Sequence, residues 1–129
     1  IFNFDQDSNS KKMTKSVEIV YGLRNFIGNA NKFSSKNVFI NLKSDNEFTE
    51  ITIEDDGTGY SSDVLSKIGE PYLKGFSPNH KNKTGLGLGI FIGKTLLEKN
   101  FASINCGNSQ VRSGAEVTIK WKNKDLSKI

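Results

Sequence analysis

The chain contains very little cysteine, histidine or proline. Among its 129 residues there are one cysteine, one histidine and two prolines. Because Cys106 is alone, an intrachain disulfide and a four-cysteine zinc site are both excluded, as is usual for a protein in a reducing compartment. No apolar run approaches the roughly 20 residues that a helix needs to span a bilayer, and no signal-peptide pattern opens the chain.

The net positive charge is also small. The formal net charge is +4, and only two of the basic residues, Arg24 and Arg112, are arginines. Nucleic-acid-binding proteins usually carry a denser basic face. The composition therefore disfavours a nucleic-acid partner, whereas a small polyanion such as a nucleotide would be attracted equally well.

The length of 129 residues predicts one domain, residues 1–129, and hydrophobic spacing predicts strands grouped in hairpins. Thr14 is a plausible N-cap for a first helix that ends near Ser34. The other predicted elements are an edge strand within residues 1–12, strands NVFINLK and EITIED, a short helix over 61–68, an irregular loop over 69–84, a helix ending near Asn100, strands ASINCG and AEVTIKW, and a frayed tail, KNKDLSKI. This order predicts an α+β two-layer sandwich, with a mixed, mostly antiparallel sheet and its helices on one face.

The first helix carries polar residues on one face. Asn25 and Asn29 lie one turn apart, and Lys32 is on the same side. The apolar residues that can face the core are Phe26, Ala30 and Phe33. Since asparagine is abundant throughout the chain, an AT-rich genome decorating an exposed face is one explanation. The other is an amide oxygen that ligates Mg²⁺ beside an ammonium that meets phosphate.

The segment ITIEDDGTGY predicts a strand that runs into a glycine-rich turn. The turn begins at Asp56 and contains Gly57 and Gly59. It has two interpretations: a purely structural turn, or a carboxylate at a strand end that accepts a hydrogen bond from an exocyclic amine. In the second, the glycines let a flat base approach closely.

The segment TGLGLG, which begins at Thr84, opens the last long helix. It is not a Walker A loop, because Gly89 is followed by Ile90 rather than lysine. A Rossmann fingerprint fits poorly, since the polar loop KNKT stands where a strand should precede it. The remaining alternatives are a structural loop and a row of peptide N–H groups at a positive helix terminus, which is an anion site.

Together these segments resemble the nucleotide-binding boxes of the GHKL superfamily, and more narrowly the catalytic and ATP-binding domain of bacterial sensor histidine kinases. NFIGNANKF resembles the N box, DDGTG the G1 box and TGLGLG the G2 box. IGEPYLKG stands in place of the F box, and SGAEVTI resembles the last glycine-containing strand. GEPY together with GLGLGIFIGKTLLE is most similar to the RegB/PrrB type of redox-responsive sensor kinase.

The resemblance implies a Bergerat fold that holds ATP and Mg²⁺ beneath a lid at about residues 73–84. It implies that Asn29 ligates Mg²⁺, that Lys32 approaches the phosphates, and that Asp56 accepts from the adenine amino group. Lys74 stands where the family commonly has an arginine. The catalytic residues that the resemblance implies are Asn29, Lys32 and Lys74. The implied cofactor-binding residues are Asn25, Asn29, Lys32, Phe33, Asp56, Gly57, Gly59, Tyr72, Lys74, Thr84, Gly85, Leu86, Gly87 and Leu88.

One position distinguishes a kinase from an ATPase. Superfamily members that hydrolyse ATP have a glutamate one turn before the metal-binding asparagine, whereas this chain has Asn25, which cannot act as a base. The resemblance therefore favours transfer of the γ-phosphoryl group to a histidine on a separate dimerisation domain. The alternatives are a nucleotide-gated binding module, of the anti-sigma or pseudokinase kind, and a GHKL ATPase.

The kinase interpretation also predicts where the chain acts and with what. We expect the dimerisation domain and a response regulator as partners, and a homodimeric full-length parent. The chain begins at Ile1 rather than methionine, so we expect that it was cut from a longer protein. It would be a cytoplasmic domain of a parent in the inner membrane, anchored only through segments outside this sequence.

Overall fold

A computed structural model of the chain describes residues 2–4, 16–67 and 84–129. The order of elements follows the sequence prediction, with one helix added at the C-terminal end. The elements are β1 (Phe2–Phe4), α1 (Val17–Phe33), β2 (Val38–Ser44), β3 (Phe48–Asp55), α2 (Ser62–Lys67), α3 (Thr84–Lys99), β4 (Ser103–Asn108), β5 (Ala115–Lys122) and α4 (Asn123–Leu126).

The strands form one sheet in the order β1-β2-β3-β5-β4. β1 runs parallel to β2, and every other neighbouring pair is antiparallel. Helices α1 and α3 pack side by side, and their apolar residues share one core with the inner face of the sheet. The predicted mixed, mostly antiparallel α+β sandwich is confirmed.

The core depends on alternation along β3 and β5. In β5 every second residue is buried, because successive side chains of a strand point to opposite faces. The most deeply buried side chains come from both layers: Phe26, Ile53, Ile90, Leu97, Ile119 and Trp121.

Helix α1 begins later than predicted, and its buried stripe includes the predicted Phe26 and Ala30, with Phe33 half-buried against the core. Its N-cap is Ser16, whose Oγ accepts from the N–H of Ile19 at 3.4 Å, while the predicted cap, Thr14, lies outside the described residues. The stripe that faces the core is Ile19, Gly22, Phe26 and Ala30. Three apolar residues of the first turns instead face solvent: Val17, Val20 and Tyr21.

Helices α1 and α3 run antiparallel and are in close contact at two glycines, Gly22 and Gly93. A Cβ on Gly22 would lie 2.8 Å from Cγ of Leu97, and one on Gly93 would lie 2.8 Å from Cε2 of Phe26. One turn further along α1, Oδ1 of Asn25 is 3.7 Å from the Cβ position of Gly89. The polar face of α1 therefore lies beside the beginning of α3.

The C-terminal segment is ordered by burial, so the prediction of a frayed tail is wrong. α4 places Leu126 in the core at 4% exposure. The N–H of Asn123 donates to the carbonyl of Glu47 at 2.8 Å, and its side-chain Nδ2 donates to the carbonyl of Asp45 at 2.7 Å. These bonds fasten the segment to the turn between β2 and β3.

Candidate functional site

The end of β3 places a carboxylate inside the molecule. Ile53 is buried on the inner face, and Asp55, two residues later, points to the same side and is 2% exposed. Its Oδ1 accepts from the N–H of Gly57 at 2.8 Å and from that of Ala115 at 3.3 Å. Both of these hydrogen bonds reach Oδ1 rather than Oδ2.

Two glycines keep side chains away from this carboxylate. A Cβ on Gly114 would collide with the backbone carbonyl and Oδ1 of Asp55, and one on Gly57 would collide with the carbonyl of Phe33 at the end of α1. On these two sides the wall around Asp55 is backbone, and its carboxylate is held by main-chain N–H groups.

Asp56, the predicted adenine acceptor, points elsewhere. Its carboxylate accepts backbone hydrogen bonds of 2.9 to 3.1 Å from three consecutive residues, Ser35, Lys36 and Asn37. These bonds, with the N–H groups of Lys36 and Asn37 first, lower the pKa of Asp56. Its carboxylate thus fastens the loop after α1.

Sequence reasoning missed Asp55, although the strand pattern contains the signal that identifies it. The isoleucines of ITIEDD occupy alternate positions, Ile51 and Ile53, so the inward face continues to Asp55 and not to Asp56. Counting by two along the strand would have separated the two carboxylates.

Of the predicted residues of α1, Asn25 faces the beginning of α3. Nδ2 of Asn25 donates to the carbonyl of Tyr21 at 2.9 Å, which directs Oδ1 towards the beginning of α3. Asn29 is half-buried and lies one turn further along the same face. Lys32 is exposed, with Nζ 5.6 Å from the ring centre of its neighbour Phe33.

The glycine-rich segment forms the first turns of α3. The helix begins at Thr84, so the backbone from Gly85 to Leu88 is helical. The N–H groups of the first four residues of a helix have no partner within the helix, and they form its positive end. Tyr72, Lys74 and residues 73–83 of the predicted lid lie outside the described residues.

A further contact holds the loop that follows Asp55. Gly59 has φ +78°, and a Cβ there would lie 2.7 Å from Oδ1 of Asn108 at the end of β4. The same Oδ1 accepts from the N–H of Tyr60 at 2.7 Å, and Nδ2 of Asn108 donates to the carbonyl of Tyr60 at 2.9 Å. Burial raises the pKa of Tyr60, and Cys106 and Asp55 add to that rise.

Residues 14–125 match the family described as histidine kinase-, DNA gyrase B-, and HSP90-like ATPase. A match of this extent defines the class of the protein: the chain belongs to this ATPase family.

Among named relatives, the chain is 31% identical over 130 residues to the sensor histidine kinase RegB of Cereibacter sphaeroides, a match that covers 89% of this chain and 28% of RegB. It is 36% identical over 101 residues to the heme sensor protein HssS of Staphylococcus saprophyticus, covering 77% of this chain and 21% of HssS. The predicted likeness to sensor histidine kinases of the RegB type is confirmed. The chain spans about a quarter of the length of these relatives.

Solved structures show the same fold. The catalytic domain of histidine kinase ThkA superimposes with a TM-score of 0.72 at 19% identity, over 95% of this chain and 79% of that one. Full-length ShkA in complex with AMPPNP gives 0.69 at 22% identity, over 93% of this chain and 25% of that one. Within the described part of the chain, every helix is too short or too polar to cross a membrane.

Proposed function

We propose that this chain is a single domain that binds Mg·ATP and transfers the γ-phosphoryl group to a histidine on a separate dimerisation domain. The observation that carries the proposal is Asp55, a buried carboxylate held through Oδ1 by two backbone N–H groups. Its Oδ2 is a fixed acceptor for an exocyclic amine. The family match and the sensor-kinase relatives support ATP as the ligand.

Asp55 rather than Asp56 would select adenine. Adenine presents an amino group where guanine presents a carbonyl, so guanine would leave a buried carboxylate facing an acceptor. Leaving a buried polar group unpaired costs about 1 to 3 kcal/mol, and more for a charged one. Neither Gly57 nor Gly114 has a side chain that a flat base would meet beside Asp55.

The α1–α3 seam would bind the triphosphate. The N–H groups from Gly85 to Leu88 would face the phosphates at the positive end of α3, and Lys32 would add a mobile ammonium. The described residues contain no group of three or more acidic, histidine or cysteine side chains that could hold a metal. The family resemblance assigns Mg²⁺ to the amide oxygen of Asn29 together with the phosphates, where the ion would neutralise phosphate charge.

Asn25 would make the domain a poor hydrolase. An amide does not accept a proton at neutral pH, and this one already donates to the carbonyl of Tyr21. With an amide rather than a carboxylate at position 25, that side chain would leave water unactivated. A neutral imidazole needs little activation, so positioning and charge neutralisation would suffice for transfer to histidine.

The family resemblance adds Tyr72 and Lys74 to the binding residues.

The relatives also suggest the surroundings of the domain. Since RegB is a sensor histidine kinase, we propose a histidine-bearing dimerisation domain and a response regulator as partners. A homodimeric parent in the inner membrane, with this domain on the cytoplasmic side, fits the same assignment.

Two adjacent aspartates give a matched test. We expect Asp55→Asn to weaken ATP binding at least tenfold in calorimetry, because its amide would present a donor or a neutral acceptor to the amine. Asp56→Asn, with the same charge change one residue away, should keep ATP affinity within about twofold while destabilising the loop after α1. The reverse order would overturn the site.

Phosphoryl transfer is tested separately. The chain is mixed with the histidine-bearing domain of its parent kinase and labelled ATP, and acid-labile phosphohistidine is measured. Binding of ATP without transfer would favour the nucleotide-gated binding module. Release of phosphate by the isolated chain would favour an ATPase.

A further inference from the structure

Asn108 and Ser109, at the end of β4, form hydrogen bonds with residues before and after Asp55 in the chain. The Asn108 side chain accepts from the backbone N–H of Tyr60, in the loop after Asp55, at 2.7 Å and donates to its backbone carbonyl at 2.9 Å. Ser109 donates from Oγ to Oε2 of Glu54, the residue before Asp55, at 2.7 Å. The carboxylate is therefore bracketed by two side-chain contacts from one strand end.

The Asn108 contact also restrains the loop itself. Gly59 adopts φ +78°, and its Cβ position is 2.7 Å from Oδ1 of Asn108, so the loop lies directly on this amide. A left-handed glycine has many alternative conformations. Asn108 holds the residue after Gly59 by two bonds, and in the same loop the N–H of Gly57 donates to Oδ1 of Asp55.

We propose that Asn108 is a positioning residue for the base subsite, which clamps the peptide groups of Tyr60 and thereby orients the Asp55 carboxylate and the loop beside it. The inference rests on the proposed function, because it assigns a part of the same site. Asn108 acts through Tyr60 and need not touch the nucleotide.

The test compares Asn108→Ala, Asn108→Asp and the control Asn105→Ala in the 129-residue chain. Asn108→Ala loses both bonds. Asn108→Asp keeps an acceptor for the N–H of Tyr60 and loses the donor to its carbonyl. Asn105 is an exposed residue of the same strand, three positions before Asn108 and therefore on the opposite face of the strand, and it pairs in register with Thr118.

The difference in affinity between ATP and GTP distinguishes a positioning role of Asn108 from a general contribution to stability. Dissociation constants for ATP and GTP are measured by calorimetry or competition, well below the lowest melting temperature of the set. We expect both Asn108 variants to weaken ATP about tenfold, the equivalent of one or two lost hydrogen bonds, and to leave GTP nearly unchanged. Asn105→Ala should match the wild-type chain in both.

The other outcomes overturn the inference. Equal losses for ATP and GTP would mean that Asn108 only stabilises the fold, and unchanged ATP affinity would mean that the clamp is dispensable. A wild-type chain that binds no ATP would overturn the proposed function itself, a result distinct from either.

Discussion

Gly22 of α1 and Gly93 of α3 face each other where the two helices cross. The Cβ position of Gly22 is 3.3 Å from the carbonyl oxygen of Gly93, and the Cβ position of Gly93 is 3.1 Å from the carbonyl oxygen of Gly22. The helices approach so closely because neither residue has a side chain. This crossing fixes how far Asn25 lies from the beginning of α3.

Substitution at the crossing should therefore destabilise the fold. Overpacking costs about 1 to 3 kcal/mol, which exceeds the roughly 1 kcal/mol that replacing a helical glycine with alanine returns. We expect Gly93→Ala to lower the free energy of unfolding by about 1 kcal/mol in urea titrations. Gly28→Ala is the matched control, since a Cβ there meets nothing within 4 Å, and it should be stabilising. Equal effects at both positions would contradict the close packing.

The Asp56 carboxylate should make stability depend on acid pH. Its pKa is lowered from 3.8 by backbone N–H bonds, so its contribution is complete above that value and is lost as the pH falls through the lower folded pKa. We expect Asp56→Asn to be less stable than the wild-type chain at pH 7, with the difference shrinking below about pH 4. A difference that stays constant down to pH 2 would show that the charge is unimportant.

The C-terminal helix should behave as part of the core. Leu126 is 4% exposed, and emptying a buried leucine site costs about 2 to 5 kcal/mol. Leu126→Ala should therefore lower the thermal midpoint by many degrees. Lys124→Ala, at an exposed position of the same turn, should change stability by less than about 0.5 kcal/mol. A similar midpoint for both variants would indicate a loosely attached tail.

Cys106 should be an unreactive thiol. Burial raises its pKa to about 11, with a small opposing effect of Lys94. Since the thiolate is the reactive form, reaction with Ellman's reagent at pH 8 should be slow in the folded chain and fast in denaturant. ATP affinity should be the same in reducing and oxidising buffer. Equal reaction rates in both states would show that the thiol is accessible.

The sequence was informative where a pattern repeats. Alternation along β2, β3 and β5 and the spacing of Phe26 and Ala30 predicted the sheet and the core-facing side of α1, because burial acts on every second strand residue and on one stripe of a helix. Val17, Val20 and Tyr21 also recur at helical spacing, but they lie outside the core-facing stripe and are exposed.

Single contacts were harder to predict. Asp55 and Asp56 are chemically identical, and only the direction of the strand face tells them apart. Asn108 could not be found from the sequence, because its partner is 48 positions away and the contact depends on how β4 meets the loop at Gly59. Leu126 was assigned to a tail because a four-residue helix is too short to show periodicity.

The backbone wall around Asp55 has a consequence for inhibitors. The N–H groups of Gly57 and Ala115 orient this carboxylate, and side chains at Gly57 or Gly114 would collide with the main chain. A compound that mimics adenine would thus meet a surface that few single substitutions can reshape without unfolding it. Resistance to such a compound should arise at positions other than these glycines.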